Sequence, residues 1–328
     1  ETDIKELKKT GKASFIIALL GVVFPIIGGF LVSYFFNKPG MIESDAGCSI
    51  FLQNVFVGVI LTATSVSITV ETLREMGKLK GKMGTTIMGA AIIDDIVGII
   101  VLTTITSMQD TSVNPTIVLV KIVMFFIFVV LTGGVVFFLK NKFIGSVKRR
   151  RRISIYALAF CLFMSFIAEE GFGVADITGA YFAGLMFCAF SVREYIGKKF
   201  NVLNYLFFAP VFFASIGMQT NMKSLTGDII WFTVVLTIVA ILTKVIGCGL
   251  GAKICKFNNK EALGIGIGMI SRGEVALIVA QKGADCGLLS ETLFPAIVVV
   301  VIITTLITPI LLKILLTEKN SNGAVETA

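Results

Sequence analysis

Polar residues along this chain are confined to short stretches between long apolar blocks. The blocks fall at 11 to 36, 50 to 70, 84 to 107, 115 to 139, 153 to 169, 174 to 190, 201 to 218, 228 to 252, 261 to 281 and 292 to 316. Each is about 17 to 26 residues long, enough for a helix to cross a hydrocarbon core of ~30 Å. Lipid offers no partner to a free backbone N–H or C=O, so a segment crossing alone must be helical. The pattern predicts an all-α polytopic membrane protein with about ten transmembrane helices. Composition agrees: of 328 residues, 55% are hydrophobic and 15% charged, too apolar for a domain in water.

Basic residues orient the spans. With the N-terminus on the cytoplasmic side, 23 of the 29 Lys and Arg fall in cytoplasmic loops, in runs such as Lys5 to Lys12, Arg74 to Lys82, Lys140 to Arg152 and Lys253 to Lys260. Lys38, Lys223 and Lys282 fall outside, and Lys121, Lys244 and Arg272 fall within spans. Both ends are therefore expected in the cytoplasm. The net charge of +8 reports topology, and no nucleic-acid partner is expected. The run "KRRRR" at 148 to 152 reads as a stop signal that fixes orientation, in preference to an attractor of anionic lipid. "ETDIKELKKTGK" reads as a cytoplasmic approach to a span, with residues missing before it, and "TEKNSNGAVETA" as a short polar tail.

Six scattered cysteines suggest neither a disulfide framework nor a thiolate metal site. There is no histidine, so proton chemistry must run on Asp, Glu or Lys, and no cofactor is called for.

The expensive residues are the charges inside spans, each costing about 2.5 to 3.5 kcal/mol near the bilayer centre even on a lenient scale. In "GAAIIDDIVGIIVL", Asp94 and Asp95 stand about eleven residues from the cytoplasmic start of their span, and Lys244 stands about nine from the cytoplasmic end of its own. At about 1.5 Å per residue the two depths agree, which permits a Lys-to-Asp ion pair. One Lys neutralises one Asp only, and a carboxylate is left over.

Two spans are interrupted at similar depth: "LTATSVSIT", where Thr62, Thr64 and Ser65 crowd together, and "GMISRGEVALIVA", where Arg272, Gly273 and Glu274 break an apolar run. Hydroxyls alone often bond back to their own helix. Opposite charges two residues apart cannot meet on a regular helix, so Arg272 and Glu274 call for unwinding or outside partners. The interrupted spans are the second and the ninth and run oppositely, the mark of an inverted repeat with broken helices at the midplane. Spans one to three would correspond to eight to ten. One transmembrane domain is expected over 1–328: a transport bundle of 11–107 and 228–316, a linking helix at 115–139, and a scaffold or dimer layer at 153–218.

The segments "LTATSVSITVETLREMG", "AAIIDDIVGIIVL", "GVADITGAYFAGL", "FFAPVFFASIGM", "LTKVIGCGLGAK" and "GMISRGEVALIVA" resemble, in order and across nearly the whole chain, the monovalent cation:proton antiporters of the second branch, within it the NapA-like sodium/proton antiporters. The resemblance implies the sodium/proton antiporter fold and a homodimer in the cytoplasmic membrane of a prokaryote. It implies that Asp95 carries the cation and the proton, that Asp94 partners Lys244, and that Thr64 and Ser65 belong to the unwound crossing. Further N-terminal spans of that family are not in this sequence. Transported Na+ or Li+, held at Asp95 and Asp94, and H+ would be the only ligands besides lipid.

Rival classes fit less well. Intramembrane aspartyl proteases use aspartates on different helices, whereas Asp94 and Asp95 are neighbours about 100° apart on one helix. A potassium/proton antiporter or K+ efflux system of the same fold remains the alternative, although such efflux systems carry a nucleotide-binding tail. A sensor or structural subunit of this fold would differ only in lacking turnover. The expected mechanism is alternating access with electrogenic exchange, protons and cation competing for a carboxylate pair that titrates as a coupled unit.

Overall fold

The computed structural model describes residues 4–38, 42, 47–79, 81–109, 115–144, 150–174, 176–188, 190, 192–219 and 227–317. Lys223, Lys148, Arg149 and the polar tail beyond 317 lie outside the described residues, so their predicted sidedness is not represented. Among the described residues every regular element is a helix. In chain order these are α1 (Ile4–Phe36), α2 (Ile50–Ile60), α3 (Val66–Glu75), α4 (Lys82–Gln109), α5 (Pro115–Ile144), α6 (Arg150–Phe166), α7 (Asp176–Cys188), α8 (Arg193–Leu203), α9 (Ala209–Gln219), α10 (Gly227–Ile254), α11 (Asn259–Gly268), α12 (Gly273–Asp285) and α13 (Phe294–Leu316).

Six of these helices are long and apolar enough to cross a membrane, and α11 with α12, bent by 47°, makes a seventh if the pair crosses as one. The remaining apolar blocks appear as shorter helices. The block at 50 to 70 divides into α2 and α3 where three of four consecutive residues, Thr62, Thr64 and Ser65, are poor at continuing a helix. The Thr62 hydroxyl bonds back to the Val59 carbonyl at 2.7 Å. The block at 201 to 218 is the second half of a continuous helix from Arg193, running through α8, a π-helical turn at Asn204–Phe208, and α9. Pro210 lacks an N–H, and the wider turn just before it absorbs the missing bond.

Helices α1–α4 and α10–α13 pack together around two apolar cores. One, toward the α1–α2 connection, joins Phe56, Val57 and Ile60 of α2 to Phe232 and Leu236 of α10, Leu277 and Ala280 of α12, and Ile297 and Val300 of α13. The other, toward the α3–α4 connection, joins Ile17 of α1, Leu73 of α3 and Ile87 of α4 to Cys248 of α10, Ile265 of α11 and Leu312 of α13. Each core draws on both halves of the chain. A third apolar cluster, with Phe125 of α5, Met164 of α6 and Phe182 of α7, holds α5–α7 together separately. The two bodies meet along α4 and α5, and Lys282 Nζ at the end of α12 bonds Glu169 Oε1, in the π-helical turn after α6, at 2.6 Å.

Candidate ion site at the helix crossing

Two apolar cores leave a layer between them in which both broken helices stop. A helix end leaves up to four unpaired N–H or C=O groups, and each unsatisfied group in a lipid-like interior costs several kcal/mol. The two breaks satisfy one another. Ser65 N–H donates to the Ser271 carbonyl at 2.8 Å. Arg272, fully buried, donates through Nη1 to the carbonyls of Leu61 and Ala63 and through Nη2 to that of Ala240 at 2.8 Å. Its charge therefore sits at the negative end of α2, where the helix dipole favours it. Thr69 Oγ1 donates to the Gly268 carbonyl at 2.7 Å, tying α3 to the end of α11. Close approach requires Gly273: its φ is +52°, and a Cβ there would overlap Ser65 Cβ.

Beside the crossing, α4 presents both aspartates. Asp94 is buried, and Lys244 Nζ of α10 donates to its Oδ2 at 3.0 Å and Oδ1 at 3.3 Å. Thr64 Oγ1, from the α2–α3 break, donates to Oδ2 at 2.6 Å. Asp95 is half-buried, and no hydrogen bond or ion pair of its side chain is found among the described residues. Glu274, in the first turn of α12, is exposed and accepts from Ser65 Oγ at 3.2 Å. All seven residues singled out from the sequence (Thr64, Ser65, Asp94, Asp95, Lys244, Arg272 and Glu274) thus stand in or against this layer. Arg272 and Glu274 do not pair with each other; each has partners on the opposite break.

With every group ionised, Lys244 and Arg272 supply two positive charges against three negative ones at Asp94, Asp95 and Glu274. A single monovalent cation or a single proton balances the site. Asp94 has its oxygens engaged by Lys244 and Thr64, so the open carboxylate is Asp95.

Sequence reasoning missed the wall behind the ion pair. A Cβ on Gly21 of α1 would lie 2.7 Å from Cys248 Sγ and 3.8 Å from both Lys244 Nζ and Asp94 Oδ1. It also missed Ala240, which takes part through its backbone alone. The only signal for the wall was a glycine in α1 and a thiol one turn after Lys244.

Residues 1–318 match the family of transmembrane sodium/hydrogen exchangers. A probable Na+/H+ antiporter of Bacillus cereus, GerT, is 41% identical over 95% of this chain and 80% of its own length. An Na+/H+-K+ antiporter of the same organism, GerN, is 40% identical over 95% and 78% of the two chains. An Na+/H+ antiporter of Enterococcus hirae is 34% identical over 95% and 79%.

Proposed function

The chain belongs to the family of transmembrane sodium/hydrogen exchangers, and from that premise we propose that it exchanges Na+ or Li+ for H+ across the cytoplasmic membrane of a prokaryote. The observation that carries this reading is the division of labour in one buried pair: Asp94 is engaged by Lys244 and Thr64, while Asp95 beside it is open. A half-buried carboxylate without a fixed counter-charge takes up either a cation or a proton, and competition between the two is exchange. No cofactor enters the cycle; the ligands are the transported ions and the surrounding lipid.

The division into two bodies supports alternating access. In this reading α1–α4 and α10–α13 form the transport bundle, α5 links it, and α6–α9 form a scaffold against which the bundle moves. Charges in the α3–α4 and α10–α11 connections support a cytoplasmic side for those connections and for both chain ends. The exposed apolar run Tyr205, Leu206, Phe207 and Phe208 supports a lipid-facing or self-associating surface on the scaffold, and a homodimer is the proposed assembly.

Purified protein in vesicles with an imposed pH gradient tests the reading. Added Na+ or Li+ is expected to dissipate the gradient; indifference to every alkali cation would overturn it. The naming of one relative as an Na+/H+-K+ antiporter favours a second reading, in which K+ is also carried, and K+ in the same assay decides it.

A further inference from the structure

Seven residues of α4, Ile92-Ile93-Asp94-Asp95-Ile96-Val97-Gly98, reappear in pattern in α13 as Ile302-Ile303-Thr304-Thr305-Leu306-Ile307-Thr308. A hydroxyl pair stands where the carboxylate pair stands. The two segments are also equivalent in place. Each lies on the helix that follows a broken pair, and each reaches back to the break of that pair, α4 through the first member of its polar pair and α13 through the second: Thr64 Oγ1 donates to Asp94 Oδ2 at 2.6 Å, and Gly273 N–H to Thr305 Oγ1 at 3.0 Å.

The two threonines differ in what they do. Thr304 is fully buried and spends its hydroxyl inside its own helix, on the carbonyls of Val300 at 2.8 Å and Val301 at 3.0 Å. Thr305 is half-buried and faces the start of α12. That start needs a partner. Helix N-termini are ordinarily capped by the side chain of the preceding residue, but here the preceding residue is Arg272, which makes no capping bond because its guanidinium is committed to the end of α2. Thr305 supplies the cap from another helix. The next residues along are the two whose placement the crossing depends on, Arg272 on one side of Gly273 and Glu274 on the other.

We propose that Thr305 is a positioning residue of the ion site: as the counterpart of Asp95 in the second repeat, it uses a neutral hydroxyl to fix the first turn of α12, and so holds Glu274 and Arg272 in register with the α2–α3 break. A neutral group is what this place requires. A carboxylate there would add a fourth negative charge to a layer that already has one in excess. The consequence for exchange rests on the antiport reading; the consequence for the helix end does not.

Two measurements on Thr305→Val, Thr305→Ser and Thr304→Val test the proposal. Hydrogen exchange of the peptide spanning 270–276 is expected to quicken about tenfold in Thr305→Val, as suits loss of one buried hydrogen bond. It should stay at the unsubstituted rate in Thr305→Ser and Thr304→Val. In vesicles, Thr305→Val is expected to raise the cation concentration for half-maximal exchange about tenfold while the maximal rate stays within about twofold, because the fold survives and only alignment is lost. Thr305→Ser should restore both values. Unchanged protection in Thr305→Val, or failure of Thr305→Ser to match the unsubstituted protein, overturns the proposal. If Thr305→Val does not fold, the match or mismatch of Thr305→Ser decides it. If the unsubstituted protein exchanges no cation, the antiport reading falls, and the protection of 270–276 still judges the role of Thr305.

Discussion

Asp94 and Asp95 are chemically identical neighbours with different surroundings, and substitutions should separate them. Asp95→Asn is expected to abolish cation-driven proton flux in vesicles while leaving the melting temperature in detergent close to unchanged, since no partner loses a bond. Retained flux would remove Asp95 from the carrier role. Asp94→Asn strands Lys244 in a fully buried place, and breaking a buried pair in this way costs about 3 to 5 kcal/mol. Its melting temperature should therefore fall clearly, and an unchanged one would show that the pair contributes nothing to the fold. Lys244→Gln bears on charge: it removes one of the two positive charges that face three carboxylates and leaves Asp94 with Thr64 as its partner. The cation concentration for half-maximal exchange should shift clearly, and a variant that exchanges as the unsubstituted protein does would show that the Lys244 charge takes no part in the site.

At the scale of helices the broken pairs are the decisive elements, and Gly273→Ala probes them. A residue other than Gly at positive φ costs about 1 to 2 kcal/mol, and here the added methyl also collides with Ser65 Cβ. Gly77, with φ +65° and nothing within 4 Å, supplies the comparison: Gly77→Ala carries the backbone strain alone. Gly273→Ala should therefore melt well below Gly77→Ala; equal melting temperatures would mean the crossing relaxes at no cost. The positions of the breaks were legible in the sequence because hydroxyls and opposite charges inside an apolar run are costly unless the helix opens there and finds them partners. The bonds across them were not, since Arg272 is held by backbone carbonyls of Leu61, Ala63 and Ala240, which carry no side-chain signature. Helix ends away from the site were equally hidden. Nothing in the apolar run at 201 to 218 announces that it continues a helix begun at Arg193, because the connecting turn is made by backbone geometry around Pro210.

Between the two bodies, the Lys282–Glu169 bond is partly exposed, and such pairs are worth about 0.2 to 1 kcal/mol. Lys282→Ala should leave the melting temperature almost unmoved. Lys282→Glu places like charges in contact and is expected to slow exchange, with Glu169→Lys in the same chain restoring it. A double swap that fails to restore the rate would show that the pair does not join the moving parts. The interleaving of the two cores also has a consequence for the making of the protein. Lys244 is 150 residues downstream of Asp94, and Arg272 is 211 downstream of Leu61. With synthesis at about 5 to 20 residues per second, the nascent chain carries Asp94 without its lysine for about 8 to 30 seconds. Throughout that interval neither core can close, although the last helix of the first repeat is complete once Gln109 is made, early in it. A ribosome stalled before α10 should therefore leave α1–α4 open to membrane proteases, and a lesion late in the gene should be read by the cell as a defect in the earliest helices.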